Sequence, residues 1–118
     1  MDKMTDAQVQ EAVKGVPEWS ETGGAIQRTF QFKDFVEAMK FVNRVAEQAE
    51  ADQHHPDILV RWNKVTLTLS THDAGGITSK DFALAAKTDG FAKLYAPPAP
   101  AAPPVVPKVK KPKSSPKL

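Results

Sequence analysis

Three histidines and two carboxylates are the side chains of this sequence best suited to chemistry. His54 and His55 are adjacent in the stretch EADQHHPD, and His72 follows in STHDAGG. Histidine exchanges protons near neutral pH, because its unperturbed pKa is about 6.5. Carboxylates such as Glu50 and Asp81 would orient an imidazole ring and favour its protonated form. These residues alone leave three alternatives open: acid–base chemistry, a metal site and an ordinary polar turn.

The metal alternative would use the three histidines together with Glu50 or Asp52. Their spacing matches no HExxH helix, and a chain without cysteine has no thiolate ligand, disulfide or thiol nucleophile. Serine elbow, P-loop and glycine-rich dinucleotide motifs are also missing from the sequence. We therefore expect neither a metal nor a cofactor.

The histidine stretch lies at the exit of the most strongly patterned helix. This helix is predicted to begin at Asp34, with Glu37 in its first turn. Its predicted apolar stripe comprises Phe35, Ala38, Met39, Val42, Val45, Ala46 and Ala49. Pro56 stiffens the exit, because the residue before a proline is restricted to extended conformations.

Two strands and a helix are predicted after the histidine pair. The strands are residues 57–62 and 65–72, with a tight turn at Asn63–Lys64. Strand parity places Trp62 in the core with Ile58 and Val60, and His72 at the end of the polar face of the sheet. Thr78 and Asp81 have the spacing of a capping box, so a purely structural role for Asp81 stays open. The buried side of this last helix is predicted to comprise Phe82, Ala85, Ala86 and Phe91.

The first part of the chain predicts one more helix and one more strand pair. Thr5 and Gln8 fit a capping box for a short helix that ends at Pro17. Residues 19–22 and 25–32 then form strands around Gly23–Gly24, with Arg28 interrupting the apolar side. The order α-β-β-α-β-β-α predicts an α+β fold, in which three helices pack on one face of a four-stranded antiparallel sheet.

Composition divides the chain into a domain, residues 1–95, and a tail, residues 96–118. The tail is rich in proline, alanine and lysine, and its composition predicts disorder. The whole chain has 16 basic and 14 acidic residues; removing the tail's five lysines leaves 11 basic residues and a net charge of −3. We expect no direct nucleic-acid binding by such a domain. No apolar stretch reaches membrane length, so we expect a cytoplasmic protein without a membrane partner.

The sequence resembles the pterin-4a-carbinolamine dehydratases in the segments AIQRTFQFKDFVEAMKFVNRVAEQAE, HHPDI and WNKVTLTLSTHDAGGITSKDFALA. Together they cover roughly residues 19–91, and HHP followed by STH and GxTxxD is the specific combination. The resemblance implies the fold predicted above and the dehydration of 4a-hydroxytetrahydropterin to quinonoid dihydropterin, with the pterin as substrate. It also implies a homodimer or homotetramer. The implied active-site residues are His54, His55 and His72, supported by Glu50, Pro56 and Asp81.

A second function is compatible with the same resemblance. Some relatives act as dimerisation cofactors for transcription factors or as assembly chaperones for other enzymes. In that case the basic tail would be the arm that contacts a protein partner. The histidines favour the dehydratase, and they do not exclude an additional binding role.

Overall fold

The structure, a computed structural model, describes residues 2–99 of the chain. Its elements are α1 (Asp6–Val13), β1 (Ser20–Thr22), β2 (Ala25–Gln31), α2 (Phe35–Asp52), β3 (Asp57–Arg61), β4 (Lys64–Leu69) and α3 (Ser79–Ala92). The predicted α+β class and the α-β-β-α-β-β-α order are confirmed. Most of the predicted tail, residues 100–118, lies outside the described residues.

The predicted helix starts are confirmed by hydrogen bonds. Thr5 and Thr78 each form a complete capping box, with Gln8 and with Asp81. Asp34 caps α2 by accepting the Glu37 backbone N–H at 2.9 Å. The first helix ends at Val13, earlier than the predicted stop at Pro17.

The sheet has the strand order β1-β2-β4-β3, and every pair is antiparallel. Gly23 and Gly24 connect β1 to β2 with φ values of +56° and +82°, which side-chain-bearing residues rarely adopt. One face is buried, comprising Ile26, Phe30, Val65, Leu67 and Leu69. The other face carries polar cross-strand pairs such as Gln27–Thr68. This alternation places the core on the face that the helices cover.

The buried side of α2 differs from the predicted stripe. Ala38, Phe41, Val45 and Ala49 are its buried residues, and Phe41 was not in the predicted set. Phe35 is 50% exposed, although the stripe included it. The buried residues recur at spacings of three and four, and a stripe this narrow leaves the neighbouring apolar positions half-buried or exposed. In α3, similarly, Leu84 is buried and the predicted Ala86 is exposed.

Trp62 is not a core residue, contrary to the parity prediction. Strand β3 ends at Arg61, and Trp62 begins the turn with a φ of +55° and 69% exposure. The turn therefore lies at Trp62–Asn63, one residue before the predicted position, and parity fails for Trp62 because the strand has ended. Ile58, which was predicted to share the core with Trp62, is 36% exposed on β3, the edge strand of the sheet. Asn63 is buried in its place, and its side-chain amide donates to the Phe32 carbonyl at 2.9 Å.

Candidate active site

The end of α2 determines how the two adjacent histidines separate. Gln53 adopts a left-handed conformation with φ 53° and ψ 42°, and its N–H bonds the Glu50 carbonyl. The His54 N–H donates to the Ala49 carbonyl at 3.1 Å. These two bonds form a Schellman motif, with Gln53 at the position usually taken by glycine. The chain turns sharply there, and the two imidazole rings reach different surroundings.

His54 lies inside the protein and contacts a buried carboxylate. Its side chain is 8% exposed, and Nε2 lies 2.5 Å from Oδ1 of Asp81, which is completely buried. When Asp81 is ionised its carboxylate only accepts hydrogen bonds, and Nε2–H is then the donor in this pair. The bond fixes the orientation of the ring through Nε2.

The second carboxylate oxygen of Asp81 connects His54 to the STH segment. Oδ2 accepts the Thr78 N–H at 2.8 Å and the Thr71 hydroxyl at 3.0 Å. The Thr71 and Thr78 hydroxyls also bond each other at 2.6 Å. Asp81 thus has the predicted capping role and, in addition, holds both a catalytic candidate and the residue that precedes His72. All of these groups are buried.

His72 does not lie on the sheet, contrary to the parity prediction. Strand β4 ends at Leu69, and His72 is the first residue of a 3-10 helix, His72–Ala74. Thr71 and Gly76 form an isolated bridge that closes this loop. Because the backbone leaves the strand before His72, alternation no longer determines its direction. His72 is exposed, and its neighbour Thr71 bonds the same carboxylate as His54.

His55 has a different carboxylate partner. Its Nε2 lies 2.6 Å from Oε2 of Glu50, and the two side chains are 58% and 75% exposed. Such an exposed pair contributes little to stability. Pro56, which follows His55 in the chain and precedes β3, is half-buried. Glu50 therefore contacts a histidine, as predicted, and that histidine is His55.

A cavity of ≈ 220 Å³ opens beside His54. It is lined by Asp52, His54, Lys80, Ala83 and Lys87. The Lys87 ammonium lies 2.9 Å from Oδ2 of Asp52. Hydrogen bonds from Lys87 and Gln48 lower the pKa of Asp52 below its ordinary value of 3.8. The buried histidine is therefore accessible from a space with charged walls.

Sequence reasoning predicted Thr78 only as a helix cap, and it missed Thr71, the bond between the two threonine hydroxyls and the Asp52–Lys87 pair. Thr71 and Thr78 lie inside the STH and GxTxxD segments. Their position beside His72 and Asp81 in the sequence could therefore have identified them as members of the site. The Asp52–Lys87 pair joins two helices and has no sequence signature. Within residues 2–99, no three His, Asp or Glu side chains form a group that could hold a metal ion. Nor is any helix of that part long and apolar enough to cross a bilayer.

Known proteins similar to this chain agree on one family. The family model for pterin 4 alpha carbinolamine dehydratase matches residues 2–91. A Picosynechococcus protein provisionally designated a pterin-4-alpha-carbinolamine dehydratase is 53% identical over 87 residues, which are 74% of this chain and 95% of that protein. A Gloeobacter violaceus protein with the same provisional designation is 54% identical over 90 residues, covering 73% of this chain and 98% of the relative.

Two solved structures share the fold. One is a transcriptional coactivator/pterin dehydratase from Brucella melitensis, with a TM-score of 0.75 and 34% identity over 77% of this chain and 99% of that one. The other is a pterin dehydratase-like protein identified as a RuBisCO assembly factor, with a TM-score of 0.56 and 26% identity over 64% of this chain and 89% of that one. With a family model that spans most of its length and relatives above 50% identity, the chain belongs to the pterin 4 alpha carbinolamine dehydratase family.

Proposed function

We propose that this protein dehydrates 4a-hydroxytetrahydropterin to quinonoid dihydropterin. The observation that carries the proposal is the buried Asp81 carboxylate, which bonds both His54 and Thr71. It makes one connected unit of the HHP and STH segments. Membership of the family supports the same activity.

The reaction requires two proton movements and no change of oxidation state. The C4a hydroxyl leaves as water after a general acid protonates its oxygen. The lone pair of the neighbouring ring nitrogen forms the new C=N bond, and a general base then removes the proton from that nitrogen. Each positioned acid or base typically contributes about 10²–10⁴-fold to the rate.

The proposed roles follow the surroundings of each histidine. His54 and His72 lie on the two sides of the carbinolamine carbon and exchange protons with it. Asp81 fixes the tautomer and direction of the His54 ring, as a carboxylate does for a catalytic histidine in other folds. His55, held by Glu50 at the surface, helps to hold the pterin. Pro56 restricts the backbone that presents it.

The decisive experiment is a dehydratase assay on synthetic 4a-hydroxytetrahydropterin with the full chain. We expect turnover by the native protein and losses of about 10²–10⁴-fold for His54→Ala and for His72→Ala. His55→Ala should chiefly raise KM, because its proposed role is binding.

The matched control is Gln53→Gly, which keeps the left-handed turn and all three histidines. It should retain both fold and activity. Unchanged turnover by His72→Ala would remove His72 from the mechanism, and a well-folded native protein without turnover would contradict the dehydratase itself.

A second candidate function is protein binding. One structural neighbour is described as a transcriptional coactivator and another as a RuBisCO assembly factor. We therefore propose, as the alternative, a homo-oligomer that assists another protein, with residues 96–118 as the contact arm. Absence of turnover in the assay above, together with oligomer formation in light scattering, would favour this role.

A further inference from the structure

An ion pair between α2 and α3 lies beside the proposed acid–base residue. Asp52 is the last residue of α2, and Lys87 is in the middle of α3. The Lys87 ammonium donates to Oδ2 of Asp52 at 2.9 Å, and the Gln48 amide donates to Oδ1 at 3.0 Å. Both carboxylate oxygens are thus held, so the negative charge has a defined position. Neither Asp52 nor Lys87 belongs to the HHP, STH or GxTxxD segments.

Both members of this pair line the cavity that reaches His54. The charged groups around the ring are then Asp81, Lys80 and Lys87 from α3 and Asp52 from α2. From the connection after β4, the uncharged Thr71 donates its hydroxyl to Asp81. Asp81 is bonded directly to Nε2, whereas the other three line the cavity beside the ring. Two carboxylates and two ammonium groups are therefore found on the Asp81 contact and on the cavity walls beside this one imidazole.

We propose that Asp52 and Lys87 are a charge-setting pair for His54, in which Asp52 stabilises the imidazolium and Lys87 limits that stabilisation. The relevance of this pair to catalysis rests on the proposed function. Its effect on the charge of His54 does not, because that charge can be measured without any substrate. Asp52 and Lys87 are positioning residues, which act on His54 and not on the reacting atoms.

The physical basis is the competition between an ion pair and a third charge. The charge of His54 is one of the smaller influences that lower the pKa of Asp52, after the hydrogen bonds from Lys87 and Gln48. Removing one member of the pair leaves the other uncompensated next to the ring. The two side chains are 44% and 28% exposed, so solvent weakens the effect without abolishing it.

The test is an NMR titration of the imidazole resonances in single and double variants, with His54 assigned through a His54→Gln variant. In Asp52→Asn, the remaining Lys87 charge should move the titration midpoint of His54 to lower pH. In Lys87→Gln, the remaining Asp52 charge should move it to higher pH. Each displacement is expected to be about 0.5 pH unit or more.

The double variant Asp52→Asn/Lys87→Gln should lie between the two single variants, close to the native midpoint. Lys87→Arg keeps the positive charge and should leave the midpoint unchanged. A matched control is the exposed ion pair on α1, where Lys14 and Glu11 lie 3.1 Å apart. Glu11→Gln and Lys14→Gln should not move the midpoint of His54.

Displacements of the same sign in both single variants, or none, would overturn the charge-setting role. The pH–activity profile provides the link to function, because a limb governed by His54 should move in the same direction as the midpoint. If the His54 midpoint moved in opposite directions in the two single variants of a protein that shows no dehydratase turnover, that result would support the charge-setting role of Asp52 and Lys87 and contradict the proposed activity. Dehydratase turnover by a protein whose His54 midpoint is the same in all variants would support the proposed activity and contradict the charge-setting role.

Discussion

At the scale of single residues, Asp81 has two roles that the sequence presented as competitors. Its spacing from Thr78 predicted a capping box, and the capping box is present. The same carboxylate also contacts His54 and Thr71. Oδ1 contacts the histidine, and Oδ2 accepts from the Thr78 N–H and the Thr71 hydroxyl, so one carboxylate fills both roles at once. A carboxylate this deeply buried persists only because all its partners are in place.

Asp81→Asn should therefore reduce both stability and activity. The amide cannot accept on both sides, so His54 or the threonine pair loses its partner. We expect the free energy of unfolding to fall by about 1–3 kcal/mol in urea denaturation, since the lost bonds involve a buried charged group. Turnover should fall through kcat, because the His54 ring is no longer fixed.

The control for this variant is Asp73→Asn, the same substitution at an exposed aspartate two residues after Thr71. It should change stability by less than about 0.5 kcal/mol. An Asp81→Asn protein as stable as the native chain would show that the buried network is not maintained by this carboxylate.

At the scale of elements, Arg28 explains the interruption in the apolar pattern of β2. It lies opposite Leu67 on the helix-facing side of the sheet, where an apolar residue is expected. Its guanidinium contacts Asp89 of α3 at 2.7 Å and lies over the Phe30 ring at 4.2 Å. The Trp19 indole N–H donates to the same Asp89 oxygen at 2.8 Å. This half-buried cluster attaches the C-terminal half of α3 to the sheet, while Asp81 attaches its beginning to His54 and Thr71.

Asp89→Ala should destabilise the fold by about 1–3 kcal/mol, because it leaves the indole N–H and the guanidinium without their shared acceptor. Thermal unfolding by circular dichroism measures the loss. Dehydratase activity at a temperature where the variant is folded should be nearly native, since the cluster shares no residue with the His54 network. Glu18→Ala, which removes an exposed carboxylate near Trp19 in sequence, is the control and should be close to neutral.

At the scale of the whole molecule, the described chain stays attached to the domain beyond the last helix. The Lys33 N–H donates to the Ala96 carbonyl at 2.9 Å, and the Ala96 N–H donates to Glu37 at 2.8 Å. This backbone bond, followed by the one from Lys40, lowers the pKa of Glu37 below its ordinary 4.5. The start of the predicted tail is thus hydrogen-bonded to the beginning of α2. The predicted division at residue 95 stays a prediction.

The lowered pKa of Glu37 gives stability a defined pH dependence. Folding favours the ionised carboxylate, so its contribution is fully present above about pH 4.5 and is lost as the pH falls through the lower folded-state value. Glu37→Gln should therefore be less stable than the native chain at pH 7, and the difference should shrink at pH 3. Urea denaturation at the two pH values measures it.

The control is Glu47→Gln on the same helix, where Glu47 is 73% exposed and 3.7 Å from Arg44. The stability of Glu47→Gln should differ little from that of the native chain at both pH values. If the loss of unfolding free energy in Glu37→Gln were larger at pH 3 than at pH 7, the pH dependence would be opposite to the expected one. That outcome would contradict the anchoring role of the ionised carboxylate.

The sequence by itself determined the order of the elements, the helix caps and the residues able to exchange protons. These features depend on neighbouring positions: Thr5 and Gln8, Thr78 and Asp81, and the Gly23–Gly24 turn all act within a few residues. The three histidines and the two carboxylates were also recognisable by type and motif.

Only the tertiary structure decided which histidine meets which carboxylate. Trp62 and His72 follow strand ends, where parity stops applying because the backbone leaves the extended conformation. The assignment of Asp81 to His54 and of Glu50 to His55 depends on the turn at Gln53, which separates two adjacent rings. The Asp52–Lys87 pair spans two helices that pack together. Contacts between residues distant in sequence have no local signal, and the chemistry of this site depends on them.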